Sequence, residues 1–185
     1  MKITQEFVVG KAPAAVWDFF QDIPSVAQCL PGAELLSANE DGSHEGRLSV
    51  KLGPMTATFE GQATIEPDAA NRTATITGKG VDRKGGSRGQ VKVVYRIEGT
   101  EGGSSVNVDA DVTLSGPAAQ FGRTGLINEM SKRLIGEFVA CLEAKLAAST
   151  PDAAGEITAG EVRGLSLFFS SLWAWIKRLF GGKSE

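Results

Sequence analysis

Few residues of this chain are of types that do chemistry at neutral pH. His44 is the only histidine, and Cys29 and Cys141 are the only cysteines. A transition-metal site needs several His, Cys or carboxylate ligands at short spacing, and a Ser or Cys nucleophile needs a base such as histidine beside it. His44 stands in the polar run Asp41–Gly46, where we expect an exposed side chain at the start of a strand. We therefore predict no catalytic residue and no metal site.

The two cysteines are far apart in sequence and show no metal-ligand spacing. We expect both to be reduced, buried residues rather than a disulfide pair. The first residues, Met1–Glu6, contain no apolar stretch of the kind found in secretion signals. We therefore predict a cytoplasmic protein, and the net charge of −3 argues against a nucleic-acid partner.

Four basic residues surround one predicted hairpin loop: Lys79, Arg83, Lys84 and Arg88. Such a group is most simply a solvated loop, and a docking surface for an acidic partner is the alternative. The glycine-rich stretches nearby lack a phosphate-binding or dinucleotide fingerprint between a strand and a helix. These absences favour a binding protein over an enzyme.

The C-terminal residues 164–181 have the most strongly amphipathic helical pattern of the chain. Their large apolar side chains share one face, with two tryptophans near its edges, while serines and two basic residues share the other. Such a helix lies in the plane of a membrane interface, and its basic face favours anionic lipid. The apolar stretch spans about 24 Å as a helix, which is short for crossing a bilayer. The predicted membrane-binding residues are Leu165, Phe168, Phe169, Leu172, Trp173, Trp175, Ile176, Lys177, Arg178, Leu179 and Phe180.

Residues 149–163 are small, polar and acidic, and are typical of a flexible linker. A linker of that length would let the tail helix dock away from its own domain. The alternative is that the tail packs on the domain as its last core element. A groove on a partner protein would suit the same amphipathic face as lipid does.

The rest of the chain, residues 1–148, is predicted to form one α+β domain. A first strand precedes two short helices, the first opened by Pro13 and the second capped by Asp22. Between Ala33 and Ser115 apolar and polar residues alternate with a period of two, which indicates about six antiparallel strands with one wet face. A long helix, roughly Ala118 to Ala148, is expected to cover the apolar face.

The inward positions of this predicted sheet are unusually small. They include Ala57, Gly61, Ala63, Ala74, Gly78 and Ala110. Small residues leave space that a close-packed two-layer core would fill. We therefore expect a hydrophobic pocket between the sheet and the long helix, with close packing as the alternative.

The element order resembles the helix-grip fold of the START-like (SRPBCC) superfamily of hydrophobic-ligand-binding domains. Within it, the chain resembles the family of carbon monoxide dehydrogenase G subunits over about residues 1–148. The resemblance rests on the runs Val26–Glu34 and Val50–Pro54, on Phe59-Glu60-Gly61, and on the long helix that follows.

The resemblance implies a non-catalytic accessory protein at the inner face of the cell membrane. Members of this family are implicated in tethering a molybdenum hydroxylase, such as carbon monoxide dehydrogenase, to that membrane. A pocket beside a redox enzyme suggests an isoprenoid quinone as the small-molecule ligand, with no covalently bound cofactor. The predicted pocket walls, chosen from alternation alone, are Phe20, Leu30, Leu52, Met55, Phe59, Tyr95, Leu126, Ile127 and Met130.

Two other functions remain open from the sequence. One is an enzyme of the same superfamily, a cyclase or hydrolase for an apolar substrate, which would need ionisable groups such as His44 inside the pocket. The other is a plain membrane tether with a solid core. A pocket with apolar walls would favour the ligand-binding accessory protein over the plain tether.

Overall fold

The structure, a computed structural model, describes residues 1–52, 55–123, 126–148 and 151–159, apart from a few side chains next to the gaps. In chain order, its elements are β1 (Lys2–Val9), α1 (Pro13–Gln21), α2 (Ile23–Cys29), β2 (Ala33–Ala38), β3 (Ser43–Leu52), β4 (Met55–Asp68), β5 (Thr73–Asp82), β6 (Ser87–Thr100), β7 (Gly103–Ser115), a 3-10 helix (Pro117–Arg123), α3 (Leu126–Ala147) and α4 (Pro151–Gly155). The strands form one antiparallel sheet in the order β1-β7-β6-β5-β4-β3-β2. The predicted helix-grip α+β fold is confirmed. The predicted tail helix, with all its membrane-binding residues, lies outside the described residues.

The two short helices begin where the sequence predicts. Pro13 opens α1, where its missing N–H leaves no hydrogen bond unmade. The Asp22 carboxylate accepts a hydrogen bond from the Ser25 backbone N–H at 3.3 Å and so caps α2. Both helices sit in the connection between β1 and β2, and α2 contacts β2 and α3.

Alternation along the strands separates a cavity face, which is turned toward α3, from an outer face. On β4, Phe59 lies on the cavity face and Glu60 on the outer face. The Arg47 guanidinium on β3 bridges Glu34 on β2 and Glu60 on β4, at 2.8 Å from each carboxylate. The hydrogen bond from Arg47 to Glu60, followed by the charge of Glu34, raises the pKa of Arg47. At these positions the charges lie outward, as the alternation predicts.

Four glycines lie side by side across the middle of the sheet. The register pairs Gly46 with Gly61, Gly61 with Gly80, and Gly80 with Gly89. We call this set the glycine row. At Gly61 an added β-carbon would collide with the backbone oxygen of Lys79, so β4 and β5 approach each other closely here only because the side chain is absent. Because glycine has no side chain, the row leaves space on the cavity face where it crosses β3, β4, β5 and β6.

The long helix begins later than the sequence predicts. The segment Pro117–Arg123 is a 3-10 helix, and α3 starts only at Leu126. Gly122 lies in this segment, and glycine costs about 1 kcal/mol relative to alanine inside a helix.

One end of the fold has a close-packed core, which we call the packed end. The Phe138 ring on α3 lies 5.7 to 6.3 Å from the rings of Phe7, Phe19 and Phe20, with edge-to-face geometry. The buried members of the packed end are Val9, Val16, Phe19, Cys29, Ala74, Tyr95, Ile97, Val106, Phe138, Cys141 and Leu142.

The prediction of two reduced cysteines is wrong. Cys29 at the end of α2 and Cys141 on α3 form a disulfide, with their Cα atoms 5.4 Å apart. Both residues are fully buried in the packed end. A separation of 112 residues along the chain says nothing about separation in space, because the fold brings α2 back onto α3. The bond links these two helices covalently.

Part of the predicted linker contacts the domain. Beyond α3, the short helix α4 is held by Lys145, whose ammonium donates to the Ala154 carbonyl oxygen at 2.7 Å and to Gln28 Oε1 at 2.6 Å. Ile157 packs against the packed end, and the Ala159 backbone N–H donates to the Gln28 carbonyl oxygen at 2.7 Å. Residues 151–159 therefore belong to the body of the domain, although their small polar composition indicated a free segment. The flexibility of the remaining linker, residues 160–163, stays a prediction.

Candidate functional site: an apolar cavity between sheet and helix

A cavity of about 620 Å³ lies between the cavity face of the sheet and helices α2 and α3. This volume is within the range of small-molecule sites, about 300–1,000 Å³. The packed end closes one side. A second cluster, built on Ala57 and Ala118 with Val50, Met55, Phe59, Leu114, Phe121, Ile127 and Met130, lies on the other. The sequence-based expectation of a pocket agrees with this geometry.

Small residues keep the cavity open. The glycine row and the neighbouring Ala63, Gly78 and Ala110 all line it. Of the small inward positions in the sequence, Ala57 and Ala74 instead lie fully buried in the two clusters. The cavity therefore lies over the glycine row, where the strand register places one glycine beside the next.

Six of the predicted wall residues line the cavity: Phe20, Leu30, Phe59, Tyr95, Ile127 and Met130. Met55 does not line the cavity. It packs in the second cluster, because it is the first residue of β4 and lies away from the glycine row. The backbones of Leu52 and Leu126 belong to β3 and α3, and their side chains lie outside the described part of the structure. That a ligand contacts any of these residues stays a prediction.

Alternation missed much of the wall. Helix α2 contributes Ile23, Val26 and Ala27, and the middle of α3 contributes Leu134 and Ile135. Val26 and Ala27 follow Ile23 at three and four residues, and Leu134 follows Met130 at four, so helical spacing was the available pattern in the sequence. A prediction based on strand alternation gives them no role.

One polar group in the wall is Tyr95. Its side chain is buried, and its hydroxyl oxygen accepts a hydrogen bond from Gln21 Nε2 at 3.4 Å. Burial raises the pKa of the Tyr95 phenol, and the Gln21 hydrogen bond offsets part of that effect. The hydroxyl therefore stays protonated at neutral pH and can donate its own hydrogen.

The prediction of an exposed His44 side chain is wrong, whereas its lack of a catalytic role stays a prediction. The residue is half-buried and lines the cavity. Its strand position has the same parity as Leu48 and Val50, which also line the cavity. Nδ1 is buried and, within the described residues, has no hydrogen-bond partner. The polar residues around His44 in the sequence concealed this parity.

The charged groups form no metal centre in the described ranges. No group of three or more His, Cys, Asp or Glu side chains in these ranges could hold a metal ion. The ion pairs there, such as Arg47 with Glu34 and Glu60, join side chains that are substantially exposed.

The predicted basic group lies on the other side of the sheet. Lys79, Arg83 and Arg88 border an outer groove of about 510 Å³, together with Glu45 and Glu60. The glycine row borders both this groove and the cavity, so only backbone separates the two there. The mixture of charges gives no preference for an acidic partner.

A membrane span can be tested directly in the described part of the chain. No helix there is both long enough and apolar enough to cross a bilayer.

Solved structures share this fold at low sequence identity. A conserved protein from Geobacillus kaustophilus has a TM-score of 0.69 at 12% identity, and the match covers 80% of this chain and 95% of that one. The Zhui aromatase/cyclase from Streptomyces sp. R1128 has a TM-score of 0.53 at 14% identity, covering 80% and 97%. A STAR-related lipid transfer protein from Xanthomonas axonopodis has a TM-score of 0.50 at 17% identity, covering 75% and 84%. At these identities the likeness establishes the START-like fold.

Sequence comparison gives a more specific result. Among curated proteins, none matches the chain. Residues 6–147 match the family described as the G subunit of carbon monoxide dehydrogenase (CoxG), and the matched region runs from β1 to the end of α3. The match includes both walls of the cavity and the disulfide. This chain belongs to the CoxG family, the family of carbon monoxide dehydrogenase G subunits.

Proposed function

We propose that this protein is a non-catalytic accessory protein that binds one hydrophobic molecule in the cavity between the sheet and α3. The observation that carries the proposal is the cavity of about 620 Å³, whose walls are largely apolar side chains and glycine backbone. Apolar walls supply affinity, and a few polar groups orient the ligand. A plain tether with a solid core would not need the glycine row.

The ligand we propose is an isoprenoid quinone, and the partner is a molybdenum hydroxylase such as carbon monoxide dehydrogenase. Family membership supports the partner. A quinone combines a long apolar chain with a ring that bears oxygens, which suits an apolar cavity with a phenol such as that of Tyr95 in its wall. Bound quinone would accept electrons from the hydroxylase and deliver them to the respiratory chain.

Ligand binding is tested by native mass spectrometry of protein prepared with and without exposure to membranes. We expect a bound lipid or quinone that is lost in Ala110→Phe, because the new ring would occupy the cavity. Ala69→Phe, in the exposed β4–β5 turn, is the matched control and should retain the ligand. A wild-type protein that takes up no apolar molecule would contradict the proposal.

We further propose that residues 164–181 hold the protein on the inner membrane surface. The test compares the full chain with a truncation that ends at Ala159. This end point keeps α4, Ile157 and the Ala159 hydrogen bond, so the domain stays intact. We expect the truncated protein to fold and to lose sedimentation with vesicles that contain anionic lipid.

Lys177→Glu with Arg178→Glu, in the full chain, should weaken the same binding in a salt-dependent way. If the truncated protein unfolds, the tail belongs to the core and the membrane proposal fails.

A second candidate function is an enzyme acting on an apolar substrate, and the observation that favours it is His44 in the cavity wall. A catalytic histidine is normally oriented by a second group, whereas His44 Nδ1 has no partner among the described residues. The ligand recovered from the protein decides between the two. Recovery of the ligand unchanged after prolonged incubation supports the binding protein, and conversion that His44→Ala abolishes supports the enzyme.

A further inference from the structure

Two apolar side chains border both the cavity and the protein surface. Among the described residues, six large apolar side chains are exposed, and of these only Leu30 and Leu48 also line the cavity. Each of the two is 38% exposed. An exposed side chain that lines a cavity marks a place where the cavity reaches the surface.

The two leucines are held side by side at one edge of the sheet. The Ala33 backbone N–H donates to the Leu30 carbonyl oxygen at 3.0 Å, and Ala33 pairs with Leu48 in the strand register. The Ser49 backbone N–H donates to the Gly32 carbonyl oxygen at 2.8 Å. Gly32 has a φ of +78°, and an added β-carbon there would collide with the Ser49 backbone oxygen. Since β2 is the last strand on this side, the leucines lie on one fixed rim at the sheet edge.

Helix α3 forms the opposite rim. The disulfide between Cys29 and Cys141 ties the second half of α3 to the end of α2. In the first half of α3, Ile127 and Met130 pack with Val50 of β3 in the second cluster. Along the helix these two residues lie about 16 to 21 Å from Cys141. The contacts therefore enclose a frame with four sides, which are the end of α2, the sheet edge, the second cluster and α3. We call this frame the mouth.

We propose that the mouth is the route by which the ligand enters and leaves the cavity, and that Leu30 and Leu48 set the rate of this exchange. The charged residues next to this rim in sequence, Glu34 and Arg47, pair with each other on the outer face of the sheet. An uncharged apolar molecule therefore passes the leucines without desolvating a charge, whereas a charged molecule would lose its hydration there. The mouth thus admits the same class of molecule that the cavity suits.

A residue at an entrance differs from a residue inside a binding site in its effect on kinetics. Added bulk at an entrance raises the barrier for entry and for exit by the same free energy. Both rate constants then fall by the same factor, and the dissociation constant stays unchanged. Added bulk inside the cavity, as in Ala110→Phe, instead weakens the affinity.

The test uses Leu48→Cys in the full chain, labelled after folding with a bulky maleimide. Both native cysteines are in the disulfide, so the new thiol is the only free one. Stopped-flow fluorescence with the uncharged dye N-phenyl-1-naphthylamine gives both rate constants. We expect the label to lower each about tenfold or more, and to leave the dissociation constant within about twofold.

Leu36→Cys with the same label is the matched control. Leu36 is 49% exposed but borders the outer groove instead of the cavity, so both rate constants should stay unchanged. Leu30→Ala and Leu48→Ala test the mouth in the opposite direction. Each widens it, and should raise both rate constants about two- to fivefold.

The inference rests on the proposed ligand-binding function, and the two fail differently. If the dye binds but the label at position 48 leaves both rate constants unchanged, the entrance is wrong and the binding function stands. A label that weakens affinity by speeding dissociation alone would place position 48 inside the site, which also contradicts an entrance. If the wild-type protein binds neither the dye nor any apolar molecule in native mass spectrometry, the binding function itself is wrong.

Discussion

The packed end and the glycine row lie on the same face of the same sheet, and on β5 and β6 they are only a few residues apart. At the packed end, Ile97, Val106 and Leu142 are almost completely buried, and a disulfide joins the helices that cover them. Along the glycine row the same sheet presents no side chains, and a cavity opens. One end therefore supplies the stability that lets the middle of the sheet remain unfilled.

The largest expected difference between the two regions is in the cost of shortening a leucine. Leu142→Ala at the packed end should lower the free energy of unfolding by about 2–5 kcal/mol, because it creates a void in a close-packed core. Leu48→Ala in the cavity wall should cost about 1 kcal/mol, since Leu48 is 38% exposed and faces existing space. Urea unfolding measures both. Equal costs would mean that the cavity wall is packed as tightly as the core.

The disulfide should be the next largest contribution. Replacing Cys29 and Cys141 with alanine should lower the free energy of unfolding by about 2–4 kcal/mol, because the bond restrains a long loop in the unfolded chain. Reducing the wild-type protein should lower it by a similar amount. In the double-alanine variant, reductant should have no effect on the urea midpoint. A reducing cytoplasm would favour the weaker, dithiol form of the packed end.

A smaller difference in stability is expected between alanine substitutions at two members of the glycine row. Gly61→Ala should cost about 1–3 kcal/mol, since its β-carbon would collide with the β5 backbone at Lys79. Gly89→Ala should cost less than about 1 kcal/mol, because the nearest atom to its β-carbon would be Leu114 Cδ2 at 3.4 Å. Thermal unfolding of the pair tests this. If both are tolerated, close strand approach is not what requires glycine at position 61.

The smallest expected effect on stability comes from Lys145, which attaches α4 to the packed end. Burial lowers the pKa of Lys145 from its ordinary 10.5, and the charge of Asp22 offsets part of that. Between the lowered pKa and the ordinary one the unfolded chain binds more protons, so stability should rise with pH through that window. Lys145→Met should lack this rise.

The comparison of the two proteins across that window isolates Lys145 from other alkaline titrations, such as that of Tyr95. In addition, Lys145→Met should be cleaved faster by protease within residues 151–159, where the lost hydrogen bond to Ala154 held the chain. Equal cleavage rates would contradict a role for Lys145 in holding α4.

Local sequence patterns predicted most of the fold. Alternation from Ala33 to Ser115 located the strands, and Pro13 and Asp22 marked the helix starts. Such features depend on residues close in sequence, so one chain is enough to read them. The small inward residues Gly61 and Gly78 also predicted the cavity correctly.

Long-range features could not be read in the same way. The glycine row depends on the register between strands, and the pairing of Cys29 with Cys141 depends on how α2 returns to α3. His44 is different, since its parity with Leu48 is visible in the sequence. The polar neighbours of His44 indicate an exposed side chain, but the strand pattern decides the side that a residue faces.

The hydrogen bond from Ala159 to Gln28 bears on how the domain would be oriented relative to a membrane. It holds Ala159, the last described residue, beside α2, the helix that supplies Ile23 and Val26 to the cavity wall. From Ala159 to Leu165 the chain can reach at most about 20 Å. If the tail is attached to the membrane as proposed, so short a connection would turn the α2 side of the protein toward the lipid headgroups. An apolar ligand would then pass between the bilayer and the cavity with little exposure to water.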